Sequence, residues 1–463
     1  MSSGTQFRVA VVGSGPAAFY AAGALLASEV EVEVDMFERL PTPWGLVRLG
    51  VAPDHPKIKE VSRAFERIAQ QPGFRFFGNV EIGRALSHDD LLRLYDAVVY
   101  AVGAQTDRAM GIPGEDLPGS WPATELVAWY NGHPDFQDLS FDLSCERVVV
   151  VGAGNVAVDV ARMLALTAEE LRRTDTTDEA IAAIVGSGIR EIVLLARRGP
   201  AQAAFTTPEL KELGELAGAD IAVDPADLEL DPVSEAALET DTNARRNLDV
   251  LRDYAAREPA GKPKVLRLRF GVSPVAILGA ERVEAVELVR NELVADEHGR
   301  IRAVPTEERE TIPCGLVFRS VGYQGTPVPG VPFDSASATV PNRGGRVVDE
   351  RGELLPRVYC AGWIKRGPSG VIGTNKKDAT ETVEHVLEDA GAGLLARPAD
   401  ASAEQVVELL AERGVEFVSY AGWEAIDAAE RARGAEQGRP RVKLCTWDEL
   451  LAVGGRPTAC SGD

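Results

Sequence analysis

The sequence predicts an α/β fold that contains two Rossmann-like dinucleotide-binding domains. The first observation is a G-x-G-x-x-A motif at residues 13–18, which recurs at residues 152–157. Each copy follows a short apolar strand and opens a predicted helix, which is the context in which this motif binds dinucleotides. The second observation is that the next strand ends in a glutamate after the first motif and in two arginines after the second. The two copies therefore predict two different cofactors.

The first motif is predicted to bind FAD. A strand at residues 7–12 leads into Gly13, which permits a tight turn, and Gly15, beside which a pyrophosphate can approach the backbone. The helix N terminus that follows offers free N–H groups to the phosphates. The next strand ends at Glu38, whose carboxylate can accept hydrogen bonds from a ribose diol. The alternative is an ordinary glycine-rich turn between a strand and a helix.

The second motif is predicted to bind NADPH. Its strand covers residues 147–151, and the following strand, VLLA, ends in Arg197 and Arg198. Two cations at this position suit the 2′-phosphate of NADPH, because a guanidinium group presents a planar fork of donors to a phosphate. The alternative is that both arginines are solvated residues that close a strand.

Two strands that end on glycine mark the joints between the domains. The sequences DAVVYAVG and CGLVFRSVG end at Gly103 and Gly322. We therefore expect an NADP-binding domain at residues 108–321, inserted into an FAD-binding domain that residues 1–107 and 322–463 form together. The chain would leave the flavin domain after the first of these strands and return to it after the second.

After this return, the sequence predicts one further strand and several helices. A strand at residues 358–361 is followed by a glycine-rich turn and a helix that starts near Thr374. The last part of the chain, residues 400–463, has capping-box patterns at residues 402–405 and 446–449. We interpret this part as a structural helical extension.

Composition excludes several functional classes. The net charge of −22 argues against binding to nucleic acid or to an anionic membrane, which requires a basic surface. We find no signal peptide and no apolar run of the roughly 20 residues that span a bilayer. The cysteines are isolated and form no C-x-x-C, so neither disulfides, nor a dithiol redox centre, nor a zinc site is expected. No other metal site is indicated, and a cytoplasmic location fits best.

Longer strings in the sequence are more specific than the glycine motifs. PTPWGLVRLGVAPDHPKIK, GNVAVDVAR, RRGPAQAAFTTPELKEL and GWIKRGPSGVIGTNKKD are among them, and the similarity extends over about residues 7–455. With these strings the sequence resembles the adrenodoxin reductase-like ferredoxin–NADP reductases, which have a glutathione-reductase-type fold. The resemblance implies FAD contacts at Ala17, Glu38, Leu46, Ile82, Trp363, Gly370, Val371 and Ile372. It implies NADP contacts at Arg108, Ala153, Gly154, Asn155, Val156, Arg197, Arg198, Glu209 and Gly370.

The resemblance also implies a reaction. NADPH would transfer a hydride to FAD, and single electrons would then pass to a ferredoxin-type iron–sulfur protein, which can serve haem monooxygenases. The absence of a C-x-x-C leaves no internal disulfide to accept these electrons. One alternative is an NADPH diaphorase that reduces quinones. Another is a flavin redox sensor or an electron-transfer subunit without turnover of its own.

Two titratable residues are candidates for a role in this reaction. The resemblance places His55 and Glu212 near the nicotinamide, where they could orient its carboxamide or tune the flavin. His55 precedes a predicted helix whose apolar residues Ile58, Val61 and Phe65 have helical spacing. The alternative is a histidine at a helix start and a solvated glutamate.

Ferredoxins are acidic, so a protein with this net charge needs a local concentration of cations to bind one. The best candidate is the run at residues 243–270. Its cations are Arg245, Arg246, Arg252, Arg257, Lys262, Lys264, Arg267 and Arg269. The alternative is that this run is only a solvated helix and strand.

Overall fold

The computed structural model describes residues 7–297, 301–370, 372–395 and 402–455. The chain forms two compact units: unit 1, made of Met1–Thr106, Gly132–Asp135 and Tyr323–Asp463, and unit 2, made of Asp107–Asn131 and Phe136–Gly322. Within the described ranges, no helix is long and apolar enough to cross a bilayer.

The strands are, in chain order, β1 (Phe7–Val12), β2 (Val32–Phe37), β3 (Phe74–Phe77), β4 (Ala97–Tyr100), β5 (Thr106–Asp107), β6 (Ser120–Pro122), β7 (Arg147–Val151), β8 (Glu191–Ala196), β9 (Ala219–Val223), β10 (Lys264–Phe270), β11 (Val272–Leu278), β12 (Ala285–Ala295), β13 (Ile301–Pro313), β14 (Leu316–Arg319), β15 (Tyr323–Gln324), β16 (Asn342–Arg343), β17 (Arg346–Val348) and β18 (Leu354–Cys360). The helices are α1 (Pro16–Leu26), α2 (Leu46–Leu49), α3 (Pro56–Lys59), α4 (Ser62–Ala69), α5 (His88–Leu94), α6 (Ala123–Tyr130), α7 (Asn155–Ala165), α8 (Ala168–Leu171), α9 (Asp178–Val185), α10 (Thr207–Leu213), α11 (Pro232–Thr240), α12 (Thr242–Ala255), α13 (Trp363–Arg366), α14 (Ile372–Gly391), α15 (Gln405–Glu412), α16 (Tyr420–Glu436) and α17 (Trp447–Gly454).

Unit 1 is built on a sheet with the strand order β16-β17-β18-β4-β1-β2-β3. The strands from β18 to β3 are parallel, and β17 and β16 form an antiparallel edge. Strand β1 lies inside the sheet, and both of its faces are covered. Val9 and Val11 enter one core cluster, while Ala10 and Val12 enter the other. This two-sided burial explains why the strand is almost continuously apolar.

Unit 2 has a parallel sheet of its own with the order β6-β14-β7-β8-β10-β9. An antiparallel sheet, β11-β12-β13, lies within the same unit. The buried carboxylate of Asp227 links the two sheets, because it accepts hydrogen bonds from Phe270 N (3.1 Å) and from Arg290 Nη1 (2.7 Å). The two parallel sheets confirm the predicted α/β class.

The C-terminal helices belong to the packed body of unit 1. Trp423, Ile426 and Leu450 are buried in the cluster that also contains residues of β1 and α1. Thr446 caps α17 and forms the predicted capping box with Glu449. The tail therefore contributes to the core, as a structural extension would.

Within the described range 402–455, only one of the two hydrogen bonds of the other predicted capping box forms. Helix α15 begins at Gln405, with Glu404 as its N-cap. The carbonyl of Glu404 accepts hydrogen bonds from Val407 N (2.9 Å) and Glu408 N (3.0 Å), so helical bonding starts two residues later than the pattern predicts. The bond that does form is the one from Ser402 N–H to the Gln405 side chain (3.2 Å).

The helix predicted after His55 is in fact two short helices, α3 and α4. Phe65 on α4 is fully buried, whereas Ile58 on α3 is 38% exposed. Helix α4 packs against α1, where Phe65 stacks on Phe19 (4.9 Å between ring centroids). This packing explains why the residues of α4 keep the apolar spacing even though the helix is interrupted between α3 and α4.

Substitution of Asp35 on β2 tests how much the buried ionic contacts stabilise unit 1. Its buried carboxylate accepts hydrogen bonds from Arg8, Arg75 and Tyr95. Asp35→Asn should lower the free energy of unfolding by about 3–5 kcal/mol, because two arginines would lose the partner of a buried ion pair. Chemical denaturation measures this effect. Glu169→Gln, which breaks the exposed pair with Arg173, is the control and should change stability little. Equal effects of the two substitutions would contradict the interpretation.

Candidate functional site

The first glycine-rich turn follows β1 and has two different requirements for glycine. Gly13 has φ +102°, and a Cβ atom there would lie 2.5 Å from the carbonyl oxygen of Ala101. A Cβ atom at Gly15 would meet nothing within 4 Å. The first glycine is therefore needed by the fold. The second leaves open space next to the N terminus of α1, where a phosphate group can approach the backbone.

Glu38 follows β2 and is fixed by the turn. Its Oε2 atom accepts hydrogen bonds from Ser14 N (3.1 Å) and Ser14 Oγ (2.6 Å), and its Oε1 atom accepts one from Leu40 N (3.0 Å). Burial raises the pKa of Glu38, and the hydrogen bonds from Ser14 and Leu40 oppose this shift. Hydrogen bonds within the chain thus fix the orientation of the carboxylate.

A second loop lies against the same turn. Trp44 has φ +83° and donates its N–H to the carbonyl of Ser14 (3.0 Å). A Cβ atom at Gly45 would lie 3.1 Å from the Cα atom of Gly15. Leu46, the first residue of α2, is therefore held next to the turn. Sequence motifs did not identify Ser14 or Trp44 as parts of this arrangement.

The segment after β18 reaches the start of α1. A Cβ atom at Gly362 (φ +79°) would lie 2.5 Å from the Cβ atom of Ala17, and its N–H donates to Asp378 (2.5 Å). Trp363 follows and opens α13. The chain thus brings together Gly13, Gly15, Ala17, Glu38, Leu46 and Trp363 in unit 1.

The remaining predicted FAD contacts have separate positions in unit 1. Ile82 is buried in the second core cluster of this unit. Gly370 is exposed and has φ +79°. Ile372 opens α14, two residues before the helix start that the sequence predicted. Val371 lies outside the described residues.

The turn after β7 repeats the geometry of the first turn. A Cβ atom at Gly152 (φ +141°) would lie 2.3 Å from the carbonyl oxygen of Ser320, whereas one at Gly154 would meet nothing within 4 Å. Asn155 opens α7, and its Oδ1 atom accepts a hydrogen bond from Thr206 N (2.9 Å). Ala153 accepts one through its carbonyl oxygen, and Val156 follows in the first turn of α7.

Arg197 and Arg198 follow β8 directly, at the position that Glu38 has after β2. Arg197 is exposed, and Arg198 donates from Nη2 to the carbonyl of Gln202 (3.3 Å). Burial and the neighbouring Arg197 lower the pKa of Arg198. Within the part of the chain that the structure describes, neither guanidinium pairs with a carboxylate. This arrangement leaves positive charge available for an anion.

Glu209 and Glu212 both lie on α10 and share a buried partner in unit 2. Arg162 donates from Nη1 to Glu209 (3.2 Å) and Glu212 (3.3 Å), and from Nη2 to Asp159 (2.7 Å). Glu212 thus has an ionic partner, although 42% of its side chain is still exposed to solvent. Motifs did not single out Arg162, although the spacing of Asp159 and Arg162 within α7 is a signal for their pairing.

His55 and Arg108 complete the set of predicted site residues. His55 belongs to unit 1, where it is buried and precedes α3, with its Nε2 atom 3.9 Å from Asp54 Oδ1. Arg108 lies in unit 2 and donates its N–H to the carbonyl of Gly322 (2.9 Å), so it stands where the chain enters and leaves this unit.

The cations of the predicted docking run are not equivalent. Four of them are partly buried and have partners inside unit 2: Lys262, Lys264, Arg267 and Arg269. Arg245 and Arg257 donate to backbone carbonyls and are exposed. Arg246 and Arg252 on α12 are also exposed. The exposed cations of the run are therefore those on α12 together with Arg257, which follows this helix.

The four described cysteines, Cys145, Cys314, Cys360 and Cys445, are free thiols. Burial raises the pKa of Cys314 to about 12 and that of Cys445 to about 11. These thiols are therefore protonated at neutral pH and poorly suited to nucleophilic redox chemistry.

Comparison with known proteins identifies the family. Residues 7–198 match the family described as pyridine nucleotide-disulphide oxidoreductase. The chain is 51% identical to the NADPH-ferredoxin reductase FprA of Mycobacterium tuberculosis, over 97% of this chain and 99% of that protein. The chain belongs to the adrenodoxin reductase-like family of ferredoxin–NADP reductases.

One further relative and one solved structure support the assignment. The mitochondrial NADPH:adrenodoxin oxidoreductase of Salvelinus fontinalis is 40% identical, over 96% of this chain and 91% of its own length. The structure of Mycobacterium tuberculosis FprA in complex with NADPH superposes with a TM-score of 0.93 at 50% identity, covering 97% of this chain and all of that one (100%). The glutathione-reductase-type fold that the sequence predicts is therefore confirmed.

The two glycines of the first turn should respond differently to substitution. Gly13→Ala should lower the free energy of unfolding by at least about 1–2 kcal/mol, because an L-residue at positive φ is strained and its Cβ would meet a backbone carbonyl. Gly15→Ala should leave stability close to that of the wild type, since its Cβ would enter open space. Denaturation of both variants in the absence of added nucleotide tests this difference. A stable Gly13→Ala variant would show that the turn has another conformation.

Proposed function

We propose that this family member is an FAD-dependent NADPH:ferredoxin oxidoreductase, with FAD bound by unit 1 and NADP(H) by unit 2. The observation that carries this proposal is the pair of turns with matching geometry and opposite charge. Glu38 is hydrogen-bonded to the first turn and suits a free ribose diol. Arg197 and Arg198 follow the next strand after the second turn and suit a 2′-phosphate. The names of the relatives, which include ferredoxin, adrenodoxin and NADPH, support the same assignment.

The residues of unit 1 fit FAD. The open space at Gly15 and the N terminus of α1 suit a pyrophosphate, and the fixed carboxylate of Glu38 suits the ribose. The residues proposed to hold this cofactor are Gly13, Gly15, Ala17, Glu38, Leu46, Ile82, Trp363, Gly370 and Ile372. When bound, FAD would supply the step that accepts a hydride from NADPH and releases electrons singly. The protein contributes binding and orientation.

The residues of unit 2 fit NADP(H) in a similar way. Gly154 leaves open space at the start of α7, and two guanidinium groups that have no carboxylate partner among the described residues follow β8. The residues proposed to hold this cofactor are Arg108, Ala153, Gly154, Asn155, Val156, Arg197, Arg198 and Glu209. Arg162 holds Glu209 and Glu212 in place on α10. We propose that Glu212 and His55 act as orienting residues toward the nicotinamide.

The preference for NADPH should depend on the two arginines. Each charge-assisted hydrogen bond contributes about 1.5–3 kcal/mol, and about 1.4 kcal/mol corresponds to a tenfold change. Replacing Arg197 and Arg198 with alanine should therefore raise the KM for NADPH by about two to four powers of ten and the KM for NADH little. Steady-state kinetics with both nucleotides measures this. The matched control replaces another pair of adjacent arginines in the same unit, the exposed Arg172 and Arg173, with alanine. Equal losses with NADPH and NADH would assign the arginines a structural role.

The electron acceptor is proposed to be a ferredoxin-type protein that docks on α12. Reversing Arg245 and Arg246 to glutamate should slow ferredoxin reduction and weaken its dependence on salt, because exposed charges act mainly on association. NADPH–ferricyanide activity should stay unchanged. Reversing Arg172 and Arg173 gives the same change in net charge at another surface of unit 2. If both double variants behave alike, the docking face lies elsewhere.

One assay separates the proposed function from its alternatives. We expect NADPH to reduce cytochrome c rapidly only when one of the host's ferredoxins is present. Equal rates with and without ferredoxin would favour a diaphorase, and no turnover with any ferredoxin would favour a redox sensor. A cytoplasmic location and service to haem monooxygenases belong to the same proposal.

A further inference from the structure

The C-terminal segment, residues 402–455, contains a buried carboxylate that the proposed reaction does not use. Glu430 on α16 is completely buried (0% exposed). Arg48 binds both of its oxygens, with Nη1–Oε2 2.9 Å and Nη2–Oε1 2.5 Å. Arg441 Nη1 (3.0 Å) and Leu444 N (3.0 Å) donate to the same carboxylate. Burial opposes the charge, but these donors hold the pKa of Glu430 below its usual value.

Arg48 connects this carboxylate to the first glycine-rich turn. It lies on α2, directly after Trp44 and Gly45, which contact the turn at Ser14 and Gly15. The carbonyl of Arg48 also accepts a hydrogen bond from Lys443 Nζ (3.4 Å). Both the side chain and the backbone of this α2 residue are therefore bound by the C-terminal segment.

The loop that α2 belongs to is strained and needs such support. Trp44 has φ +83°, which is costly for a residue with a bulky side chain. Its ring packs edge-on against Trp423 of α16 (4.8 Å between centroids), and the guanidinium of Arg48 lies 5.1 Å from the Trp423 ring. A strained backbone conformation persists only where surrounding residues stabilise it. For Trp44, the C-terminal residue Trp423 is one of these surrounding residues.

The same segment also supports the residue that follows Glu38. Arg39 pairs with Asp135 (2.6 Å), and Trp447 donates from Nε1 to the other carboxylate oxygen of Asp135 (2.8 Å). The guanidinium of Arg39 lies 5.8 Å from the Trp447 ring. The C-terminal segment therefore contacts residues next to both parts of the proposed flavin site. Trp44 belongs to the loop that lies against the phosphate turn, and Arg48 belongs to the helix that follows this loop. Arg39 follows the ribose carboxylate of Glu38.

We propose that the C-terminal segment is the positioning element of the flavin site and that Glu430 is its positioning residue. This inference rests on the proposed binding of FAD to unit 1. Without the charge of Glu430, Arg48 would lose its partner, and α2 would no longer keep Gly45 and Leu46 against the turn. FAD would then have to order the loop as it binds, which weakens apparent affinity in proportion to the fraction of molecules that are ordered beforehand.

The test is the affinity of the FAD-free full chain for FAD, measured by flavin fluorescence for the wild type and for Glu430→Gln. This substitution keeps the shape of the side chain and removes its charge. If the loop is in place about a tenth of the time, FAD affinity falls about tenfold. The KM for NADPH should stay unchanged, because unit 2 keeps all of its residues. Glu436→Gln, at an exposed position of the same helix, is the control and should bind FAD normally.

Thermal melting of the FAD-free proteins distinguishes positioning from stability. If Glu430→Gln melts earlier but binds FAD as the wild type does, the inference is wrong and the carboxylate is only structural. If that variant does not fold, Arg441→Gln removes one donor to Glu430 without touching α2 and should weaken FAD binding to a smaller extent; unchanged affinity would again overturn the inference. Failure of the wild type to bind FAD would instead overturn the proposed function on which the inference rests.

Discussion

Both units depend on a backbone reversal that requires glycine at the end of a central parallel strand. At Gly13 and Gly152 the chain has positive φ, and a side chain would collide with the carbonyl of Ala101 or Ser320 on a neighbouring segment. This close contact brings the start of a helix directly to the end of the strand. The next glycine, two residues later, then borders open space rather than protein. The requirement for glycine at the first position thus creates the room for a ligand at the second.

Charge distinguishes the two turns. After the first one, Glu38 is held by Ser14, a residue of the turn itself, so the acidic group and the backbone of the turn are joined by hydrogen bonds. After the second one, two adjacent arginines repel each other, and this repulsion contributes to the lowered pKa of Arg198. An anion bound there would relieve the repulsion. The same backbone geometry is therefore combined with an acidic group at one turn and with two basic groups at the other, although the chain as a whole carries a net charge of −22.

The features predicted from sequence are those that depend on residues close together in the chain. The glycine motifs, the strand ends at Glu38 and Arg197, and the capping box at Thr446 are local patterns, and the structure has each of these elements. Local spacing gave a wrong prediction for the helix after His55, which is divided into α3 and α4. No sequence motif could predict the contacts that support the loop around α2, because Arg48 and Glu430 are 382 residues apart in sequence. Such a pair becomes visible only when the fold brings α2 and α16 together.

The central claim is that the two turns bind two different dinucleotides that exchange electrons. Its most direct test is anaerobic rapid mixing of the FAD-loaded protein with one equivalent of NADPH, followed by oxidised ferredoxin. We expect NADPH to bleach the visible flavin absorption, more slowly when the transferred hydrogen is deuterium, and we expect ferredoxin to restore the absorption. Flavin that stays oxidised after NADPH is added, or that ferredoxin cannot reoxidise, would contradict the central claim.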